Sequence, residues 1–161
     1  MKIYQLSRKQ FLPISLKAAW NFFSSPENLA HITPKEMNFR ILSISGGDKM
    51  YPGQIIIYKV TVLPYIRLRW VTEITHVQEP LYFTDEQRFG PYALWHHKHH
   101  FREVDGGVEM TDEIDYALPL GRLGQLAHLL FVERRVTLIF EHRFKVLEEY
   151  FQKKNLGYTV A

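Results

Sequence analysis

The most constraining feature of this sequence is the alternation of apolar and polar side chains that runs through its middle. It occupies six successive stretches, namely Phe39–Ile44, Gln54–Val62, Ile66–Val77, Tyr82–Phe89, Ala93–Val104 and Val108–Ala117. A period of two residues is typical of strands that bury one face. Short turns rich in Gly, Pro and Asp separate the stretches, so the pattern predicts an antiparallel meander of six strands.

Helical patterns flank this stretch on both sides. Residues 1–12 predict a further strand, and two short helices follow it, with Ser15 as the N-cap of the first and Pro26 opening the second. After Gly121 a helical pattern continues to about Lys153. Its apolar stripe consists of Val136, Phe140, Phe144, Leu147 and Phe151. A helix of this length can cover the apolar face of one sheet, so we expect an α+β fold with seven antiparallel strands.

The aromatic content points to a cavity or to an unusually aromatic core. Phe, Tyr and Trp make up 14% of the 161 residues, whereas the hydrophobic fraction of 46% and the charged fraction of 23% are ordinary for a globular domain. We therefore expect one domain over residues 1–161. Rings in excess of what a core requires are suited to lining a pocket for an apolar ligand.

Charge, cysteine content and missing motifs exclude several classes of protein. The 20 basic and 17 acidic residues give a net charge of +3, which is too balanced to indicate a nucleic-acid partner. No apolar stretch approaches the ~20 residues of a membrane span, so we expect no integral membrane association. The absence of cysteine rules out disulfides and thiolate metal sites and fits a cytoplasmic protein. Without a phosphate-cradling glycine loop, a nucleophile elbow or a His-Glu-x-x-His pair, no cofactor is expected.

A histidine–aspartate pair is the sharpest chemical feature of the strand region. Alternation places Trp95, His97, His99 and Phe101 on one face of their strand, and it carries Asp112 inward on the next. A two-residue turn at Asp105-Gly106 then sets His99 opposite Asp112. A slip of one residue would turn one of the two apolar faces outward, which supports this register.

Three interpretations of this pair stay open. The first is a buried polar pair in which Asp112 fixes the tautomer of His99. The second is ligand recognition, with Tyr116 as a further polar contact. The third is chemistry, either acid/base work by His99 with Asp112 and His97, or a metal ion on two histidines and a carboxylate. No third metal ligand follows at a recognisable spacing, so a metal site is not predicted.

Other inward positions carry polar groups or belong to a second apolar surface. Asp85 and Gln87 share one strand face with Phe83 and Phe89, while Tyr58 and Thr72 fall on apolar faces as candidate pocket hydroxyls. Leu126–Val132 is apolar around most of its helix, which exceeds the needs of one buried stripe. This segment is interpreted as a thick core contact, a pocket lid, a membrane-touching segment or a dimer surface.

Short sequence motifs along the chain resemble those of a known superfamily. The motifs are Trp20-Asn21-Phe22-Phe23, Pro26-Glu27-Asn28-Leu29, Thr33-Pro34, Phe83-Thr84-Asp85-Glu86-Gln87, Gly90-Pro91-Tyr92, Trp95-x-His97-x-His99-x-Phe101, Asp112-x-x-x-Tyr116 and Leu118-Pro119-Leu120-Gly121. Their order over essentially the whole chain resembles the SRPBCC superfamily (START-like, polyketide cyclase/dehydrase-like). The resemblance is to a bacterial branch described mainly as ligand-binding or cyclase/dehydrase-like.

This resemblance implies a helix-grip fold with a pocket between the sheet and the long helix. We expect a hydrophobic ligand there, such as a lipid, a polyketide-like molecule or an aromatic compound. Its candidate contacts are Tyr58, Trp70, Thr72, Asp85, Gln87, Trp95, His97, His99, Phe101, Asp112, Tyr116, Val136, Phe140 and Phe144. Two alternatives stay open. One is a cyclase/dehydrase-type enzyme, and the other is a module that docks through residues 120–132 onto a membrane surface or a partner, such as a second copy of the chain.

Overall fold

A computed structural model describes residues 1–47, 49–63 and 66–155 of the chain. The strands are β1 (Tyr4–Leu12), β2 (Arg40–Ile44), β3 (Gln54–Leu63), β4 (Ile66–Gln78), β5 (Tyr82–Phe89), β6 (Leu94–Val104) and β7 (Gly107–Ala117). The helices are α1 (Leu16–Phe23), α2 (Pro26–His31), α3 (Arg122–Ala127) and α4 (Glu133–Asn155). A 3₁₀ turn occupies Lys35–Met37, and a π turn at His128–Val132 joins α3 to α4.

The seven strands form one antiparallel sheet in the order β1-β7-β6-β5-β4-β3-β2. Strands β2 to β7 follow one another as a meander, and β1 pairs with β7 along their length. Short turns allow each strand to pair with the next one along the chain, which is why the alternating stretches become neighbours. The predicted α+β fold class and strand count are confirmed, with strand ends displaced by at most three residues.

The hairpin of β6 and β7 has the register that the sequence predicts. Val104 pairs with Gly107 next to the turn, and further along the same ladder His99 pairs with Asp112. The turn residue Gly106 has a φ of +75°, a conformation that glycine adopts without steric cost. The turn therefore fixes which side chains of the two strands meet.

The long helix buries a stripe that differs from the predicted one at one position. Val136, Phe140, Leu147 and Phe151 are buried as expected. Phe144 is 37% exposed, and the buried place is taken by Arg143, which is only 9% exposed. Position 143 lies seven residues after Val136 and four before Leu147, so it is closer to the centre of the stripe than position 144.

The core below the short helices is aromatic. Ser15 caps α1 by accepting a hydrogen bond from the backbone N–H of Ala18, as predicted. On the buried face of this helix the ring of Trp20 packs edge-on against Phe83 and Phe101, with centroids 6.0 and 6.2 Å apart. Phe101 therefore belongs to the core beneath α1.

One strand end breaks the predicted alternation. Phe89, which alternation places inward with Phe83, is 72% exposed. The pairing of β4 with β5 shifts between Val71 and Thr72, so that Val71 pairs with Phe89 and Arg88 is skipped. Such an irregularity reverses the face that the following side chain presents.

The segment from residue 120 to 132 shows an apolar outer face. Leu123, Leu126, Leu129 and Leu130 are between 53% and 73% exposed. The interpretation of Leu126–Val132 as a thick core contact is therefore wrong for the three exposed leucines in that range, Leu126, Leu129 and Leu130. Residues three and four apart are neighbours on a helix, so the four side chains form one continuous patch, called here the leucine patch. Among the described residues, no helix combines the length and the apolar character needed to cross a bilayer.

Candidate functional site

A cavity of about 530 Å³ is lined by residues of the sheet, of the short helices and of the C-terminal helical segments. Nine of the fourteen predicted contact residues line it, namely Tyr58, Trp70, Thr72, Asp85, Trp95, His97, His99, Val136 and Phe140. Its remaining wall is largely apolar and includes Met37, Ile56, Ile74 and Ile139. Strand alternation explains the arrangement, because inward side chains of β3 to β6 converge on the face that α4 covers.

Among the described residues, five of the predicted contact residues do not line the cavity. Phe101 packs in the core, and Phe144 is partly exposed. Gln87 uses both ends of its amide on Tyr92, donating to its carbonyl at 2.7 Å and accepting from its N–H at 3.2 Å. Asp112 lies behind the two histidines, and Tyr116 bonds elsewhere, as described below.

The polar end of the cavity is built from two histidines and two aspartates. His97 donates from Nε2 to Oδ1 of Asp112 at 3.2 Å, and Nε2 of His99 is hydrogen-bonded to Oδ2 of Asp85 at 3.1 Å. The crossed contacts are also close, since Nδ1 of His97 lies 3.3 Å from Asp85 Oδ2 and Nδ1 of His99 lies 2.8 Å from Asp112 Oδ1. Each imidazole therefore lies between the same two carboxylates.

The buried aspartates and histidines of this cluster shift one another's pKa values. Burial alone would raise the pKa of Asp112, but the charge of His99 and hydrogen bonds from both histidines hold it far below its ordinary value. Asp85 behaves likewise, with His97 as the main stabilising neighbour that lowers its pKa. Burial would lower the pKa of His97, yet the two carboxylates raise it. Both aspartates are thus ionised at neutral pH, and His97 is poised to carry a positive charge.

Arg143 adds a positive charge that sequence reasoning missed. Its Nη1 lies 3.8 Å from Asp112 Oδ2, and its guanidinium stacks over the ring of Phe140 at 4.9 Å. Nε and Nη1 have no hydrogen-bond partner among the described residues, although the side chain lines the cavity. The available signal was its spacing, because an arginine seven residues after Val136 and four before Leu147 falls on the apolar stripe.

Three further polar groups lie in the apolar part of the cavity wall. The hydroxyls of Tyr58 and Thr72 form a buried hydrogen bond across β3 and β4. Burial raises the pKa of Tyr58, and the charge of Asp85 raises it further, so the phenol stays neutral. Nε1 of Trp70 is buried without a hydrogen-bond partner among the described residues. The cavity therefore presents donors at separated points along an otherwise apolar wall.

An aromatic wall faces the helix on the other side of the histidines. The rings of Trp70 and Trp95 meet edge-on at 5.4 Å, and Tyr92 packs on Trp95 at 4.8 Å. Such ring pairs are rigid and present a large apolar surface. Tyr92 was missed as a wall residue, although it lies in the Gly90-Pro91-Tyr92 motif.

Three residues of this site could hold a metal ion. One ligand atom from each of Asp85, His97 and His99 lies within 4.8 Å of the others. The same groups can also transfer a proton or hydrogen-bond to a polar ligand atom, because an imidazole oriented by a carboxylate serves either purpose. The sequence predicted His99 opposite Asp112, with His97 beside them, while the observed strand pairing adds Asp85 opposite His97.

Comparison with known proteins identifies the fold. No protein-family model matches the chain, and no curated protein is significantly similar to it in sequence. Protein TTHA0849 from Thermus thermophilus matches with a TM-score of 0.68 and 14% identity, over 94% of this chain and 99% of that one. Major latex-like protein 151 from Panax ginseng matches with a TM-score of 0.64 and 12% identity, over 92% of this chain and 97% of that one. Ara h 8.0201 matches with a TM-score of 0.56 and 16% identity, over 92% of this chain and 99% of that one.

At these identities the likeness concerns the fold alone. Like these structures, the chain has a seven-stranded antiparallel sheet with a long C-terminal helix, which is the helix-grip arrangement. A fold of this kind leaves a cavity between sheet and helix, but many functions share one fold, so a function has to be argued from the site.

Proposed function

We propose that this protein binds a hydrophobic small molecule, such as a lipid, a polyketide-like molecule or an aromatic compound, in the cavity between its sheet and α4. The order of the sequence motifs together with the helix-grip fold supports distant membership of the SRPBCC superfamily. The absence of cysteine favours action in the cytoplasm.

The shape and chemistry of the cavity carry this proposal. Its volume of about 530 Å³ lies within the range of small-molecule sites, roughly 300–1,000 Å³. Most of its wall is aliphatic or aromatic, and His97, His99 and Arg143 belong to a polar cluster at one end of it. A site of this composition gains affinity from apolar area and orientation from a few polar contacts.

The proposal is tested by displacement of an apolar fluorescent dye with a library of lipids and aromatic compounds. Native mass spectrometry of protein purified from cells provides an independent search for a co-purified ligand. Ala127→Trp introduces a large ring into the cavity wall and takes up volume that the dye would occupy. We therefore expect the affinity for the dye to fall at least about tenfold, which corresponds to about 1.4 kcal/mol.

Ala30→Trp is the matched control for this change. Ala30 is exposed on α2 and does not line the cavity, so the same substitution there should leave dye affinity unchanged. Equal loss in both variants, or dye binding that neither variant affects, would show that the dye does not occupy this cavity. Failure of every tested apolar compound to bind the wild-type protein would overturn the proposed function.

The histidine–aspartate cluster favours a second candidate, an enzyme of the cyclase/dehydrase type. His97 and His99 reach the cavity surface while Asp112 lies behind them, as expected for a general base with an orienting carboxylate. Ligands found by displacement are therefore incubated with the protein and examined for chemical change. Conversion that Asp112→Asn slows by orders of magnitude, with affinity nearly unchanged, would favour the enzyme.

A further inference from the structure

The contacts around Asp85 have the spacing of ligands around one metal ion. Its Oδ2 lies 3.3 Å from Nδ1 of His97 and 3.1 Å from Nε2 of His99. Metal–ligand bonds of about 2.0–2.2 Å place neighbouring ligand atoms roughly 3.0–3.4 Å apart in octahedral or tetrahedral geometry. The two observed separations fall inside that interval. The three ligand atoms all lie within 4.8 Å of one another, so the two imidazoles would move towards each other to share an ion.

The strands hold these three side chains in place. His97 and His99 are two residues apart on β6 and therefore share its inner face. Asp85 is paired with His97 across β5 and β6. Both histidines are buried, with 4% and 6% of their surfaces exposed, so their positions are set by packing and not by solvent. A ligand set on paired strands is more rigid than one on loops.

Asp112 acts on the far side of both imidazoles. Its Oδ1 accepts from Nε2 of His97 at 3.2 Å and lies 2.8 Å from Nδ1 of His99, the latter in a close but poorly aligned contact. A carboxylate that takes the proton of one imidazole nitrogen leaves the lone pair of the other nitrogen free. Metal-binding histidines are commonly oriented by a carboxylate in this way.

The imidazole nitrogens turned away from Asp112 and the carboxylate of Asp85 repel one another unless a cation lies between them. If His97 keeps its proton on Nε2 and His99 carries its own on Nδ1, both protons are directed at Asp112. The other nitrogens of His97 and His99 and the carboxylate of Asp85 are then three electron-pair donors that face one another. In the metal-free protein the proton of His99 lies instead on Nε2, which donates it to Asp85, and Nδ1 has no hydrogen-bond partner among the described residues. A metal ion would replace that proton and engage all three donors.

The geometry points to a metal site: we propose that Asp85, His97 and His99 bind a divalent first-row transition ion, with Asp112 positioning both imidazoles. Two imidazole nitrogens and one carboxylate suit Zn²⁺, Fe²⁺ or Co²⁺, whereas Mg²⁺ and Ca²⁺ prefer sites made of oxygen alone. Three protein ligands leave open positions, and these face the cavity because all three residues line it. The site extends the function proposed above and does not depend on which apolar compound the cavity accepts.

Cobalt titration tests the site directly. Full-length protein treated with a chelator is titrated with Co²⁺ and followed by its visible absorption bands, and Zn²⁺ binding is measured by calorimetry. We expect one equivalent of ion to bind. His99→Gln keeps the size of the side chain but removes the ligand, so affinity should fall at least about 100-fold, while Asp112→Asn should weaken binding about 10- to 100-fold.

His100→Gln is the matched control, because His100 is the next residue on β6 and points to the opposite face. Its substitution should leave the affinity unchanged. Circular dichroism checks the fold of each variant, and Asp85→Asn replaces His99→Gln if the latter does not fold. A wild-type protein that binds no Co²⁺ or Zn²⁺ overturns the proposal, as does an affinity that is unchanged in a folded His99→Gln or Asp85→Asn variant.

Discussion

At the scale of single residues, His128 is the histidine whose surroundings disfavour its charge. Its ring stacks on Tyr4 with centroids 3.4 Å apart, and its Nε2 lies 2.9 Å from the hydroxyl of Tyr116. Burial raises the pKa of Tyr116 to about 12, so this phenol donates and the neutral imidazole accepts. Burial lowers the pKa of His128, with Glu133 opposing the shift and Lys2 adding to it.

We expect His128 to make the protein less stable in mild acid. Because its pKa is lower in the folded chain than in the unfolded one, the unfolded chain takes up the proton first, and stability falls as the pH drops below about 6.5. The loss is at most about 1.4 kcal/mol per pH unit for one proton. Urea unfolding at a series of pH values checks this for wild type and for His128→Gln.

The comparison between the two proteins isolates this histidine. His97 has a raised pKa and contributes in the opposite direction, but it is present in both proteins and cancels in the difference. The wild type should therefore lose more stability between neutral pH and pH values below about 6.5 than His128→Gln does. Parallel pH profiles would contradict the assignment.

At the scale of secondary-structure elements, the β6–β7 hairpin positions most of the polar cluster. It carries His97, His99 and Asp112, and their mutual register follows from the two-residue connection at Asp105-Gly106. The positive φ of Gly106 is the backbone condition for this connection. The chemistry of the cavity wall therefore depends on a turn at the far end of the hairpin.

Gly106→Ala tests that dependence. A side chain at φ +75° is strained even though the nearest heavy atom to a new Cβ would be 4.0 Å away, in Phe11. We expect a loss of about 1 kcal/mol in the free energy of unfolding, measured by urea denaturation. Gly47→Ala is the control, because its φ lies outside the strained range and no atom lies within 4 Å of the new Cβ. Equal stability of the two variants would show that the turn is not under this constraint.

At the scale of the whole molecule, the leucine patch lies beside the cavity on the same helical segment. Leu123, Gly124 and Ala127 line the cavity, while Leu126 and Leu129 point into solvent. Exposed patches of this kind commonly mark a contact surface. A second copy of the chain is the occupant we expect, since most oligomers of soluble proteins consist of identical chains related by a two-fold axis.

Sedimentation velocity tests this expectation. The wild-type protein should sediment as a dimer in the micromolar range, and Leu129→Glu should shift it to the monomer by placing a charge in the interface. Leu42→Glu is the control, because Leu42 is 51% exposed on β2, away from this segment. A wild-type protein that stays monomeric throughout this range would rule out the dimer.

The sequence by itself determined those features that depend on neighbours along the chain. Alternation marked the strands, and the Asp105-Gly106 turn set His99 opposite Asp112, because side-chain direction and hairpin register are local properties. The cap at Ser15 and the buried positions of Val136, Phe140 and Leu147 follow from helical geometry in the same way.

Only the tertiary structure decided which distant groups meet. Asp85 joins the two histidines because β5 pairs with β6 in a register that no short turn motif specifies. Arg143 displaces Phe144 from the buried stripe because the charge of Asp112 and stacking on Phe140 compensate its burial. Phe89 turns outward at a shift in strand pairing. The leucines of the patch stay exposed because no other described part of the chain covers them. Each outcome depends on contacts between segments far apart in sequence, which periodicity along one segment does not encode.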